Sequence, residues 1–324
     1  MAERGQQLRS LSIVSPFYNE EGGLGQFYQQ LSETLAGLDL TVEFIFVDDG
    51  SGDGTLEALN RLAAADPRIT VLSLTRNFGH QAALTAGLDY ARGDAVVTMD
   101  SDLQHPPEMI PRMIAEFERG SDIVNAVRGS SQGLGLVKRS TTALFYWLIE
   151  RTADVKMVRG AADFRLMSRR SVEALREMRE SNRYLRGMVS WLGFPFSVVP
   201  YEQPARASGR AKYTAAKSLR LARQGLFSFS TIPLELVTWL GVALTGLGFL
   251  YLMYILAVVA RGQAVAGWAS VIVAVLVIGG VQLISLGILA QYMGMLFEQS
   301  RNRPLYVLKQ ERLGRVVDRG SPDS

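Results

Sequence analysis

The 324-residue chain contains no cysteine. That excludes disulfide staples, thiolate zinc sites, cysteine nucleophiles and CxxC redox chemistry together. Only two histidines are present, His80 and His105, so a multi-histidine metal cage is also excluded. Charge of one sign is nearly absent as an excess: 34 Lys and Arg against 31 Asp and Glu leave a formal +3. So small a balance is no nucleic-acid footprint, and the clustering of basic residues matters more than their sum. With 48% hydrophobic and 20% charged residues, the chain is neither disordered nor fibrous.

Charge is missing altogether from residues 236–260 and again from 264–297. At about 1.5 Å per residue, each run as a helix exceeds a hydrocarbon core of about 30 Å. Only Arg261, Gly262 and Gln263 separate them, so the pair predicts a membrane-spanning helical hairpin. A buried hairpin of a soluble protein is the alternative. Arg206, Arg210, Lys212, Lys217, Arg220 and Arg223 precede the pair, and Arg301, Arg303, Lys309, Arg312 and Arg315 follow it. The positive-inside rule then puts both flanks, and both termini, on the cytoplasmic side of the cytoplasmic membrane. Residues 1–10 are polar and lack the apolar run of a signal peptide.

Ahead of the hairpin, apolar β-rich runs alternate with helical patterns. Strands are predicted at residues 11–15, 42–47, 69–74 and 95–99, with helices at 20–38, 55–65 and 81–91. Such alternation predicts a parallel α/β sheet covered on both faces, with ligands beyond the carboxyl ends of its strands. Three of those ends are acidic or polar: Asn19-Glu20, Asp48-Asp49 and Asp100-Ser101-Asp102. Carboxylates two residues apart can share a hard divalent cation, with Gln104 as a further oxygen ligand. Alone, an Asp-x-Asp pair is more often a solvated turn. Segments 136–149 and 213–229 mix basic with bulky apolar residues, as suits helices lying on an anionic membrane surface. The tail beyond Arg315 is polar and expected to fray.

Four strings occur in order: Pro16-Phe-Tyr-Asn-Glu-Glu21, Val47-Asp-Asp-Gly-Ser51 with Asp53, Asn77-Phe-Gly-His80, and Asp100-Ser-Asp-Leu-Gln-His-Pro-Pro-Glu108. Together they resemble the family 2 glycosyltransferases. More narrowly, they are similar to the polyprenyl-phosphate branch, which includes dolichyl-phosphate mannose synthases and bactoprenol glucosyltransferases. The resemblance spans residues 11–300, and the C-terminal hairpin matches the bactoprenol group.

It implies an α/β glycosyltransferase-A (Rossmann-like) domain over residues 1–212, interfacial helix at 213–232, two membrane helices over 233–299 and a cytosolic tail at 300–324. It further implies that Pro16, Tyr18, Glu20, Val47 and Asp49 hold the nucleotide sugar, along with Asp100, Ser101 and Asp102. Mg²⁺ or Mn²⁺ would sit on Asp102 and Gln104. Arg206 and Lys212, in Arg206-Ala-Ser-Gly-Arg-Ala-Lys212, match a basic loop that closes over donor and acceptor phosphates. Arg128 stands at a phosphate site, and Lys138, Arg139 and Ser140 could grip the lipid phosphate or simply attract anionic lipid. Asp163 matches an acid near the reacting sugar, a plain turn or cap role being its alternative, with Arg165 its ion-pair partner. Asp100, Asp102, Asp163 and Arg206 are thus the expected catalytic set. Asn77 and His80 are read as loop braces, and His105 as shaping the acidic loop. Gln282, Ser285 and Gln291 are read as joining the membrane helices by hydrogen bonds.

The implied activity is inverting transfer of one sugar from a nucleotide sugar, UDP-glucose first, to undecaprenyl or another polyprenyl phosphate. UDP-N-acetylglucosamine, GDP-mannose and a modified-arabinose donor fit the same motifs. A homotetramer in contact with membrane lipids, without nucleic acid, would accord with the family. A processive polysaccharide synthase is disfavoured because no QxxRW occurs. A dehydrogenase is excluded because Gly50-Ser-Gly-Asp-Gly54 is not GxGxxG. A non-catalytic membrane scaffold is the rival from another class.

Overall fold

The structure, a computed structural model, describes residues 7–128, 161–181, 183–202, 232–262 and 267–314. Its chain separates into two compact units, one built on a sheet and one on two long helices.

The sheet unit begins as the alternation predicts. Strand β1 (Ser10–Phe17) leads to helix α1 (Glu21–Ala36), β2 (Thr41–Asp48) to α2 (Thr55–Ala65), and β3 (Ile69–Leu74) to α3 (His80–Tyr90), before β4 (Ala95–Thr98). These strands are parallel, in the order β4-β1-β2-β3. Nearly every position in them is buried, as helices on both faces require. On α1 the buried residues Leu24, Phe27, Leu31 and Leu35 recur at helical spacing and form one stripe. Phe27 meets Phe17 edge-on with ring centroids 5.7 Å apart, and Phe17 meets Phe46 at 5.3 Å. This aromatic contact fixes α1 across β1 and β2.

The remainder departs from an all-parallel sheet. After α4 (Ile110–Glu118) come β5 (Ile123–Arg128), β6 (Ala161–Ser168), α5 (Arg169–Glu177), α6 (Leu185–Trp191) and β7 (Phe196–Tyr201). The full order is β7-β5-β6-β4-β1-β2-β3-β8. Strand β6 inserts between β4 and β5 and runs antiparallel to both. The alternation over residues 11–99 predicts the four parallel strands that are observed; β6 lies beyond that run and is antiparallel because it enters from the carboxyl edge.

A strand that the sequence reading did not include lies at the other edge. Strand β8 (Leu308–Arg312) pairs antiparallel with β3, so residues 308–312 complete the sheet, while the tail expected to fray beyond Arg315 lies outside the described residues. Several bonds hold it. Thr75 N–H donates to the Val307 carbonyl (2.9 Å), Tyr306 Oη to Asp89 (2.9 Å), Tyr90 Oη to Glu311 (2.8 Å) and Gly314 N–H to Thr70 Oγ1 (2.9 Å).

The helical unit contains α7 (Ile232–Ala260) and α8 (Trp268–Ser300). Within them, Leu236–Val258 and Val277–Ser300 are long and apolar enough to cross a membrane, and are candidate spans. Apolar side chains such as Trp239 and Leu283 are largely exposed on them. Ser285 Oγ donates to the Val281 carbonyl of its own helix (2.8 Å), not to a neighbouring helix as expected. Intrahelical back-bonding satisfies the hydroxyl locally.

Candidate active site

Because β5 and β7 run parallel to β1–β4, the carboxyl ends of six strands share one edge with the start of β6. Among the described residues, this edge gathers Tyr18 to Glu20, Asp48 and Asp49, Asn77 to His80, Asp100 to His105, Arg128 and Asp163. Arg206 and Lys212 follow β7 in sequence and lie outside the described residues, as do Lys138, Arg139 and Ser140.

The β1 and β2 ends are laced together. Asn19, at φ 56°, accepts the Gly52 N–H on Oδ1 (2.9 Å), while its own N–H donates to Ser51 Oγ (3.0 Å). Glu20 N–H donates to Thr55 Oγ1 (3.0 Å). Pro16 and Val47 are register neighbours with buried side chains, whereas Tyr18 is 49% exposed. Gly50 turns at φ 67°, and a Cβ there would overlap the Arg76 backbone, so glycine is required.

Asp49 is buried and spans to the next loop, accepting Phe78 N–H (2.7 Å) and Gly79 N–H (3.0 Å) on separate oxygens. Burial pushes its carboxyl above the usual range, with those two amides opposing. Each oxygen keeps a second lone pair for a ligand. The bracing sets where α3 starts, and therefore where its first residue, His80, points.

The acidic loop after β4 is shaped from within. Asp100 N–H donates to His105 Nδ1 (2.9 Å), so that nitrogen carries no proton. His105 is buried and stacked on Phe164, with centroids 5.0 Å apart. Burial lowers its pKa, consistent with a neutral ring. Gln104 N–H donates to Asp102 Oδ1 (3.1 Å), and Leu103 between them takes φ 59°. Ser101 is buried and its hydroxyl donates to the Pro16 carbonyl (3.0 Å). Asp102 itself is exposed.

Arg128 ends β5 beside Tyr201 of β7, in register. Burial raises the Tyr201 pKa. Arg128 opposes that rise, and Asp100 and Asp102 add to it.

Asp163 lies in β6, not in a turn or cap. The Thr98–Arg165 pairing of the antiparallel β4–β6 ladder, carried two residues further, sets Asp163 alongside Asp100. Its side chain is 5% exposed. Arg186 of α6 grips it with two bonds, Nε to Oδ1 at 3.1 Å and NH2 to Oδ2 at 2.9 Å. Arg165 NH2 reaches Oδ1 at 3.4 Å. His80 Nε2 lies 3.4 Å from Asp163 Oδ2. Burial opposes ionisation of Asp163, but His80, Arg186 and Arg165 overcome it and hold the carboxyl well below the usual range. Desolvation works against a charged His80, yet the hydrogen bond to Asp163 and the charges of Asp100 and Asp163 raise its pKa overall.

Sequence reasoning missed Arg186 entirely and gave His80 only a bracing role. No local signal marks Arg186, since its partner is 23 residues away across an irregular connection. His80 had one signal: a histidine opening a helix just after a strand end.

A divalent cation can be tested against this geometry. Asp100 Oδ1 is buried and accepts no hydrogen bond among the described residues, with His80 Nε2 3.3 Å away, so it keeps lone-pair capacity for a cation. Asp102 and Gln104 add oxygen chemistry in the same loop. No group of three or more His, Asp or Glu side chains forms a closed metal cage among the described residues. The donor set therefore fits a hard cation that takes its other ligands from substrate phosphates and water.

Residues 12–176 match the family described as Glycosyl transferase family 2. The bactoprenol glucosyl transferase of Shigella phage SfV is 40% identical over 303 residues, covering 93% of this chain and 99% of that protein. An uncharacterized glycosyltransferase of Synechocystis sp. is 41% identical over 299 residues, covering 92% and 94%. Glucosyl-3-phosphoglycerate synthase from Mycobacterium tuberculosis, solved with Mn²⁺, UDP and glucosyl-3-phosphoglycerate, aligns with a TM-score of 0.47 at 19% identity, over 68% of this chain and 78% of that one. The mixed α/β sheet is of the glycosyltransferase-A type, and the chain is a member of glycosyl transferase family 2.

Proposed function

We propose that this glycosyltransferase moves a single sugar from a nucleotide sugar, UDP-glucose first among donors, to a polyprenyl phosphate at the cytoplasmic face of a membrane. The observation that carries the proposal is the convergence of Asp100, Asp102, Asp163, His80 and Arg128 at one strand edge. The near full-length likeness to a protein named bactoprenol glucosyl transferase supports the lipid acceptor. The apolar helices α7 and α8 support a membrane location.

In the reaction, an oxygen of the lipid monophosphate attacks the anomeric carbon as the bond from that carbon to the nucleotide's β-phosphate oxygen breaks. Lipid-phosphate sugar and nucleoside diphosphate are the products, and the anomeric centre inverts. A phosphate monoester carries about −1.5 to −2 charge near pH 7, so the nucleophile needs no general base. Consistent with this, Asp163 is fully engaged by cations and unsuited to accept a proton. Mg²⁺ or Mn²⁺, held by Asp102 and Gln104, would neutralise charge on the departing diphosphate. Arg128, with Arg206 and Lys212, would add cationic support on the phosphate side. The interfacial segments and helices would keep the acceptor's phosphate within reach.

The decisive experiment supplies purified protein with undecaprenyl phosphate and radiolabelled nucleotide sugars, with and without Mg²⁺ or Mn²⁺. Metal-dependent entry of one label into the organic phase is the expected result, and it identifies the sugar. No transfer from UDP-glucose, UDP-N-acetylglucosamine, GDP-mannose or a modified-arabinose donor, by folded protein, would overturn the proposal.

A further inference from the structure

Arg186 is oriented as if for a ligand. Asp163 takes its Nε and NH2 in a two-point grip of 3.1 and 2.9 Å, which fixes the guanidinium plane. The remaining nitrogen, NH1, has no partner among the described residues, and the side chain is 42% exposed. The Asp163 side chain is only 5% exposed. Arg165 reaches the same carboxylate, and Thr98 Oγ1 donates to the Asp163 backbone carbonyl at 2.6 Å. Engaged in this way, the carboxylate holds Arg186.

We propose that Arg186 binds a phosphate group in the active site and that Asp163 is its positioning residue. The inference deepens the proposed function and rests on it for the identity of the two phosphate ligands. A guanidinium clamped along one edge presents its remaining N–H groups in a fixed direction, so little side-chain entropy is lost on capture. Phosphate oxygens match that geometry and bear the opposite charge. Two sources supply this chemistry at the same edge: the diphosphate of the nucleotide sugar and the monophosphate of the lipid acceptor.

The test is equilibrium binding by full-length protein, read in two arms. Calorimetric titration with UDP reads the donor side; retention of radiolabelled polyprenyl phosphate by protein in nanodiscs reads the acceptor side. Arg186→Ala is expected to weaken one arm at least tenfold. Arg186→Lys should recover part of the loss, because charge returns without the fork. Asp163→Asn should shift the same arm in the same direction, by less. Added guanidinium ion should restore binding to Arg186→Ala but not improve wild type, a rescue that a merely structural role does not predict. Loss in the UDP arm assigns the donor diphosphate, and loss in the lipid arm assigns the acceptor. If Arg186→Ala fails to fold, Arg186→Lys and Asp163→Asn carry the measurement. Folded variants that bind both ligands within twofold of wild type would overturn the inference. Wild-type protein that binds UDP but transfers no sugar would defeat the proposed function, while the UDP arm still decides the role of Arg186.

Discussion

Nε2 of His80 lies 3.3 Å from Oδ1 of Asp100, at the point where that carboxylate also faces Asp163. One imidazole thus stands between two acids from neighbouring strands, and Asp49 fixes its position by holding the two amides before it. Removing it leaves the carboxylates to repel each other. His80→Ala is expected to lower kcat/KM by about tenfold or more, equivalent to roughly 1.4 kcal/mol in the barrier. His80→Gln, which keeps a donor without the charge, should fall between. Initial rates at donor concentrations well below KM check this, and a His80→Ala value within twofold of wild type would remove His80 from the chemistry.

Asp102 is exposed, so its replacement should leave folding almost untouched, within about 0.5 kcal/mol. Turnover by Asp102→Asn should nonetheless be abolished. A near-normal rate in excess Mn²⁺ would show that the carboxylate does not hold the cation.

Arg206 and Arg210 occupy the same basic segment, and of the two the proposed function gives a phosphate-side role to Arg206. Arg206→Ala should therefore lose more rate than Arg210→Ala. The reverse ranking in parallel assays would discredit the assignment of that loop.

Asp66 offers a stability test far from the chemistry. It accepts the Tyr28 hydroxyl (2.5 Å) and is gripped by Arg68 Nε and NH2 (3.0 and 2.7 Å). Burial opposes its charge, but Arg68 and Tyr28 prevail and depress its pKa. A depressed carboxyl pKa contributes stability above the unfolded value of about 3.9 and loses it as pH falls through the folded value. Asp66→Asn should cost about 1.5–3 kcal/mol at pH 7. That cost should shrink as pH drops below about 4, which thermal melts of both proteins across pH would reveal. A pH-independent difference would mean that the charge is irrelevant.

Strand β8 predicts an outcome for truncation. A chain ending at residue 303 exposes the β3 edge and strips Tyr306 from Asp89 and Glu311 from Tyr90. It should melt at least several degrees lower and aggregate, because an uncovered edge recruits other strands. A chain ending at residue 314 should behave as wild type. Equal melting of the two truncations would mean that the strand is dispensable.

Legibility in the sequence followed the physics of each element. Strands β1 to β4 are buried on both faces, so they appear as apolar runs bounded by turn residues and were readable directly. Leu308-Lys-Gln-Glu-Arg312 is almost wholly exposed, and an edge strand without an apolar face leaves no periodic trace. Asp100 and Asp102 were readable because a strand end concentrates them. Arg186 was not, since only the antiparallel entry of β6 brings Asp163 to that edge and within its reach.

The distant origin of β8 also orders events during synthesis. Residues 232–300 leave the ribosome before residues 308–312, so the apolar helices are made before the sheet can be finished. Until then β3 has an open edge and Asp89 lacks Tyr306. Closure of the sheet is thereby a late step that follows completion of the hairpin: a chain stalled within α8 carries an unfinished sheet with the β3 edge still open.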